Sequence, residues 1–286
     1  RDLRMSRGLG DVYKRQVVGL NETITCKGTW DTLSPPARCW IAPNGSHGPL
    51  DISGAIEHSC NYFFYEVGYR LSRNNGVYDS DTGLEKLAYY ADQFGLSDKS
   101  GVEISESAPK VSDFDAIRSA IGQGTNNYST VGLARYVTTV ANSGSCYNLS
   151  LLSKATDADG NLIADYTPTL RNTVDLKQST WDAIHQGMRK VVEDKDYYKD
   201  LTIQVAGKTG TAQENRKRAN HALFVCYAPY EQPQIAIATR IAFGYASDYA
   251  AQVTKDIVKY YFKLEDESSL ITGTAESTNV VQSAGD

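Results

Sequence analysis

Four consecutive residues, Lys208-Thr209-Gly210-Thr211, offer a cation, two hydroxyls and a position without a side chain. That set suits the capture of an anion, a carboxylate above all. The ammonium supplies a point charge and the threonines supply donors. The surrounding stretch, Gln204 to Asn215, reads QVAGKTGTAQEN, and Ile203 and Val205 alternate just ahead of the motif. The motif is therefore expected to continue a β-strand, with Gly210 leaving room for a second backbone to come close. A peptide laid along such a strand would present its C-terminal carboxylate to Lys208 and a threonine hydroxyl. At average residue usage a specified string of this kind turns up in roughly three chains per thousand of this length.

Chemistry on the captured molecule needs a nucleophile and a proton relay. One class of serine acyltransferase pairs such a strand with an SxN string and an SxxK string. SxN occurs three times, at Ser59-Cys60-Asn61, Ser72-Arg73-Asn74 and Ser277-Thr278-Asn279, against about one expected by chance. The last lies in an acidic tail, and the second sits where a helical pattern runs out into Asn-Asn-Gly. Only Ser59 and Asn61 are embedded in an apolar helical stretch, where buried polar side chains need a reason. The single SxxK string, Ser107-Ala108-Pro109-Lys110, follows SxN instead of preceding it. It also carries a proline in what should be the first turn of a helix, so it is rejected as the nucleophile.

The elements that must position these residues are legible from periodicity. Ile52, Ile56, Cys60, Phe63, Val67 and Leu71 recur at steps of three or four, as on one helix face. Further helices are expected over Gly83 to Phe94 with Gly95 as cap, over Val131 to Ala141, from Asp175 onward, and over Ser247 to Phe262. Ser97 to Asp115 reads as loop. The runs TIQVAGKTGTA, HALFVCYAP and QIAIATRIAF are three adjacent strands. Helices first, then consecutive strands, then a helix imply an α+β fold, an antiparallel sheet flanked by helices, and not a doubly wound one.

Composition sets outer bounds. The 286 residues are 41% hydrophobic and 22% charged, with a net charge of −5. This is ordinary globular composition with no nucleic-acid footprint. No run of 18 or more apolar residues is present, so the chain as given does not span a membrane. The five cysteines form no CxxC pair and show no metal-ligand spacing, so no zinc site or other metal is assigned. Cys26 and Cys39 share a polar loop and read either as a disulfide, suiting an extracytoplasmic compartment, or as two unpaired thiols. Residues 1–16, RDLRMSRGLGDVYKRQ, are basic and aperiodic, lack a signal-peptide core, and are set aside as a non-native leader. The functional domain is expected over 17–263, and 264–286 as a disordered acidic tail.

The stretches AIEHSCNYFFYEVGYRL, IGQGTNNYSTVGLARYVTTVANSG, KTGTA and HALFVCYAP occur in the right order to resemble the penicillin-binding proteins. The match is to the transpeptidase domain of the monofunctional, class B members, from about Val17 to Phe262. This resemblance implies a β-lactamase/transpeptidase-like fold with the site in a cleft between helices and sheet. It implies that Ser59 relays a proton, that Asn61 hydrogen-bonds the substrate amide, and that Lys208 is catalytic. Lys208 and Thr209 would hold the terminal carboxylate beside Gly210, and the Thr211 N–H would furnish half an oxyanion hole. Gly122-Gln123-Gly124 would be a structural turn, and Cys226 departs from the glycine usual there.

The implied activity is serine-type peptidoglycan D,D-transpeptidation on D-Ala-D-Ala stem peptides, without a cofactor. β-Lactams and the cell-wall synthesis machinery are the implied partners, on the extracytoplasmic face of a bacterial membrane. The family's SxxK helix lies upstream of the segment resembling NETITCKG, where this chain has its foreign-looking leader. The chain is therefore expected to be a fragment without its nucleophile, marginally stable and inactive alone. The alternatives are a non-catalytic peptidoglycan- or β-lactam-binding module, a D,D-carboxypeptidase, or a β-lactam sensor of the same fold.

Overall fold

The computed structural model describes residues 17–32, 34–212 and 218–270. The proposed leader, the third SxN string and the tail from residue 271 lie outside them. The segment from Ile24 to Leu50 is built from four short strands: β1 (Ile24–Cys26), β2 (Thr29–Trp30), β3 (Ala37–Arg38) and β4 (Gly48–Leu50). β1 pairs antiparallel with β4, placing Cys26 opposite Gly48, and β2 pairs with β3. Strands this short carry no readable alternation, which is why the sequence pattern missed them.

The periodic stretch from Ile52 to Leu71 is two helices instead of one: α1 (Ile52–Glu57) and α2 (Asn61–Leu71). Ser59, between them, adopts φ +50°. The hydrogen bonds Cys60 N–H to Ala55 O (3.0 Å) and Ser59 N–H to Ile56 O (3.2 Å) close α1 as a Schellman turn. The hydrophobic spacing runs straight through the break, because both helices bury their apolar faces in the same core.

A hairpin of β5 (Arg73–Asn74) and β6 (Val77–Tyr78) leads to α3 (Ser80–Gln93), which ends at Gly95 in the left-handed region. The loop expected after it is present. Next come α4 (Ala116–Ala120), the tight turn with Gly122 and Gly124 both at positive φ, and α5 (Thr130–Ala141). Between α5 and α6 (Gln178–Glu193) lie two further antiparallel pairs. These are β7 (Ser145–Asn148) with β10 (Thr169–Thr173), and β8 (Lys154–Thr156) with β9 (Leu162–Asp165).

The main sheet has three antiparallel strands in the order β11 (Ala206–Ala212), β12 (His221–Ala228) and β13 (Ile235–Ile241). Central β12 is buried throughout, and its residues alternate between two cores. Leu223, Val225 and Tyr227 face the main core under α5 and α6. Ala222, Phe224, Cys226 and Ala228 face a second core under α7 (Ser247–Tyr261). A sheet covered on both faces explains the continuous apolar run HALFVCYA, which alternation alone would not predict. The acidic stretch after α7 begins with a helical turn, α8 (Glu267–Leu270). No helix among the described residues is long and apolar enough to cross a membrane.

Candidate active site

Helix α6 positions both halves of the site. Its Gly187 lies so close to α1 that an added Cβ would sit 2.8 Å from Ile56 Cβ and 3.0 Å from Ser53 O. Ser53 Oγ donates to Ala183 O at 2.8 Å, locking α1 onto α6. Arg189, two residues beyond Gly187 and so on another side of the helix, donates from Nη1 to Val205 O (3.1 Å), immediately before β11. The Ser59 turn and the Lys208 strand are thus held from one rigid element, which is how a site acquires fixed geometry.

Across this frame the Lys208 ammonium donates a hydrogen bond to Ser59 Oγ. It also reaches Thr209 O at 3.3 Å. Lys208 is fully buried, so its cationic head depends on such partners to offset lost hydration. A serine hydroxyl that accepts from an ammonium keeps its own proton free to donate onward. Ser59 is held in this contact by the left-handed turn, a conformation that costs a non-glycine residue on the order of 1–3 kcal/mol.

Asn61 opens α2 two residues later. Its side chain is buried, and Oδ1 has no hydrogen-bond partner among the described residues. A buried amide oxygen left bare is an acceptor awaiting a donor, and a substrate N–H fits that need. Lys208 and Gly210 share one face of β11, while Thr209 and Thr211 alternate to the other and stay half-buried. A carboxylate touching both the ammonium and a threonine hydroxyl must therefore sit at the strand's outer edge. That edge pairs with no other strand among the described residues. Gly207 faces the second core, where an added Cβ would lie 2.5 Å from Phe224 Cζ and 2.9 Å from Val225 O.

The rejected strings stay apart. Ser107 is exposed in a loop, and its Lys110 pairs with Asp113 at 3.1 Å. Ser72 caps α2, its Oγ donating to Gly68 O. Cys26 and Cys39 are not bonded to each other, and all five cysteines are free and buried. Metal-ligand motifs legible in a sequence place their ligands close together in the chain. The fold instead gathers Cys26, Cys39, His47 and Cys60 from separate segments, their ligand atoms within 4.8 Å of one another. Departure from the family pattern at Cys226 is accommodated opposite Gly207, whose missing side chain leaves the thiol its space.

Comparison with known proteins supports the same architecture. Residues 12–259 match the family model described as the penicillin binding protein transpeptidase domain. The chain is 25% identical over 282 residues to penicillin-binding protein 2B of Streptococcus pneumoniae, covering 88% of the chain and 41% of that protein. It is 28% identical over 283 residues to the peptidoglycan D,D-transpeptidase MrdA of Haemophilus influenzae, covering 86% of the chain and 41% of that protein. The solved structure of penicillin-binding protein 2B from Streptococcus pneumoniae strain R6 superposes with a TM-score of 0.78 at 23% identity. That superposition spans 91% of this chain and 46% of that one. The chain thus spans about two-fifths of the length of these curated relatives.

Proposed function

The chain belongs to the penicillin-binding protein transpeptidase family, among its class B members, and on that premise we propose that it carries the substrate-gripping, proton-relaying half of a peptidoglycan D,D-transpeptidase site. The observation that carries this reading is the Lys208–Ser59 hydrogen bond, which joins the strand motif to the SxN turn across 149 residues.

In the proposed reaction the C-terminal carboxylate of a D-Ala-D-Ala stem peptide lies at the outer edge of β11. Lys208 supplies charge there and Thr209 a hydroxyl, a charge-assisted contact worth about 1.5–3 kcal/mol. Asn61 Oδ1 accepts the N–H of the substrate amide. The Thr211 N–H faces the carbonyl oxygen as negative charge builds there. When a serine nucleophile adds to the carbonyl and the amide bond breaks, Ser59 gives its proton to the departing D-Ala nitrogen and takes up the proton of the nucleophile. Lys208 holds the Ser59 oxygen in place through the exchange. β-Lactams, whose carboxylate and strained amide mimic the peptide end, enter the same way. In the longer protein this would take place on the extracytoplasmic face of a bacterial membrane, within the cell-wall synthesis machinery.

Acyl transfer also needs a serine nucleophile activated by a base. The chain's one SxxK string is an exposed loop, and Ser59 is already engaged as the relay. By itself, then, this chain forms no acyl-enzyme. Intact-mass analysis after incubation with benzylpenicillin tests this directly. The expected spectrum is that of the unmodified chain. A stable adduct of one penicillin per chain would overturn the half-site reading.

A further inference from the structure

We propose that the cavity between the end of α5, the first half of α6 and the β12–β13 turn binds an amino sugar, with the ammonium held by Asp182 and Glu231 and a sugar oxygen held by the Tyr227 hydroxyl. Its volume is about 510 Å³, within the roughly 300–1,000 Å³ of small-molecule sites. Helix α6 contributes Gln178, Asp182, His185 and Gln186, and the turn contributes Tyr230, Glu231 and Pro233. None of them takes part in the peptide-carboxylate grip, so this site and that one can fail independently.

The walls ask for a cation. Asp182 and Glu231 line the cavity, and among the described residues no lysine or arginine does. Asp182 takes a hydrogen bond from the neutral Gln178 amide at 2.8 Å. Burial and then the carboxylates of Glu231 and Asp182 push the Tyr230 hydroxyl up, so both charges lie near one point. Arg189, which opposes them, is tied to Val205 O and lies 3.4 Å from Glu193. His185 adds an acceptor instead of a charge. Its Nε2–H is spent on Val140 O, and desolvation lowers its pKa, so Nδ1 keeps a lone pair. An ammonium, with three donors and no acceptor, matches such a wall.

A simple amine would leave one group unserved. Tyr227 is 1% exposed, and its hydroxyl has no hydrogen-bond partner among the described residues. Its ring stacks on Tyr230 (6.5 Å, 19°) and meets His185 edge-on at 5.6 Å. After burial, Tyr230 and Glu231 act most strongly on the Tyr227 hydroxyl, which therefore ends at this wall of the cavity. A buried O–H without an acceptor is costly, and a ligand oxygen would relieve it. Gln186 turns its amide oxygen toward Ser53 Oγ at 3.5 Å, leaving the amide nitrogen as a donor, and Ser143 supplies a hydroxyl. Mixed donors and acceptors of this kind suit hydroxyls, which both give and receive. A diamine would satisfy the carboxylates and leave Tyr227 without an acceptor; a neutral sugar would do the reverse. An amino sugar serves both.

The test titrates D-glucosamine into the full chain at pH 7 and follows amide-resolved NMR. Saturable shifts are expected in α6 and the β12–β13 turn, with a Kd of about 1 mM. N-acetyl-D-glucosamine lacks the charge, and alanine amide has an ammonium and a carbonyl but no hydroxyls. Each should bind at least about tenfold more weakly. Asp182→Asn and Glu231→Gln should each weaken glucosamine by about tenfold. Tyr227→Phe should weaken it about two- to tenfold and leave Tm unchanged or raised, because the hydroxyl has no partner in the fold. A β-linked glucosamine dimer separates two sources of the sugar. Binding about tenfold tighter than the monomer assigns the site to a glycan chain, and equal binding assigns it to the free sugar. Three results would overturn the proposal: no saturable shift at roughly 10 mM glucosamine, N-acetyl-D-glucosamine or alanine amide binding as tightly as glucosamine, or a lowered Tm for Tyr227→Phe.

Discussion

Ser59 occupies a position that backbone physics reserves for glycine, and this makes the relay turn open to a direct energetic test. In the structure Ser59 follows the last residue of the α1 cap at φ +50°, with both Schellman hydrogen bonds formed. Two substitutions separate its backbone from its hydroxyl. Ser59→Ala removes an acceptor from the buried Lys208 ammonium and keeps the left-handed strain; removing such a partner costs about 1–3 kcal/mol. Ser59→Gly removes the same acceptor but relieves the strain, worth about 1 kcal/mol. Both variants lose the relay equally. The glycine variant should therefore be more stable than the alanine variant by about 1 kcal/mol, roughly 2–4 °C in Tm for a chain of this size. Urea unfolding followed by circular dichroism, with thermal melts alongside, measures the difference. Equal stability, or a more stable alanine variant, would mean that the turn is not held as described and that Ser59 is not strained into contact with Lys208.

Other outcomes follow from single contacts. Gly207→Ala should destabilise the fold by about 1–3 kcal/mol, because its methyl meets the Val225 carbonyl and the Phe224 ring; denaturant midpoints check it. Arg135 is fully buried, donating to Gly95 O, Lys99 O (2.9 Å) and Asp98 (2.8 Å to Oδ1). Arg135→Lys should cost about 1–3 kcal/mol in the same assay, since an ammonium cannot span these acceptors. His185 is half-buried and donates to Val140 O at 2.8 Å; desolvation holds its pKa below 6.5, partly opposed by that carbonyl and by Asp182. The unfolded chain then binds the extra proton first, so stability falls as pH drops from about 6.5 toward the folded-state value. His185→Gln should flatten that part of a stability–pH profile.

How much of this was legible before the fold was known depended on what kind of signal each feature leaves. The three sheet strands and helices α3, α5, α6 and α7 announce themselves by long apolar patterns and by breakers such as Gly95 and Asn142-Ser143-Gly144. The break between α1 and α2 does not, because a serine stands where glycine would have marked it and the core spacing continues across it. Short hairpins such as β2 with β3 bury too few side chains to imprint a period. Lys208 and Ser59 could be paired in advance only through motif resemblance, since nothing local links residues 149 apart. The supports on α6, Gly187 and Arg189, leave no motif at all. The cysteine cluster escaped for a related reason: its members come from four separate segments, and metal-site spacing rules look for ligands close together in the chain.

The central claim is that Lys208 and the edge of β11 hold a peptide carboxylate beside the Ser59 relay. Calorimetric titration with an N-acylated D-Ala-D-Ala peptide, set against the same peptide ending in a primary amide, tests it most directly. The account predicts reversible binding of the acid, and about ten- to 150-fold weaker binding both of the amide and of the acid to Lys208→Ala. Equal affinity for acid and amide, or an acid affinity unchanged by Lys208→Ala, would contradict it.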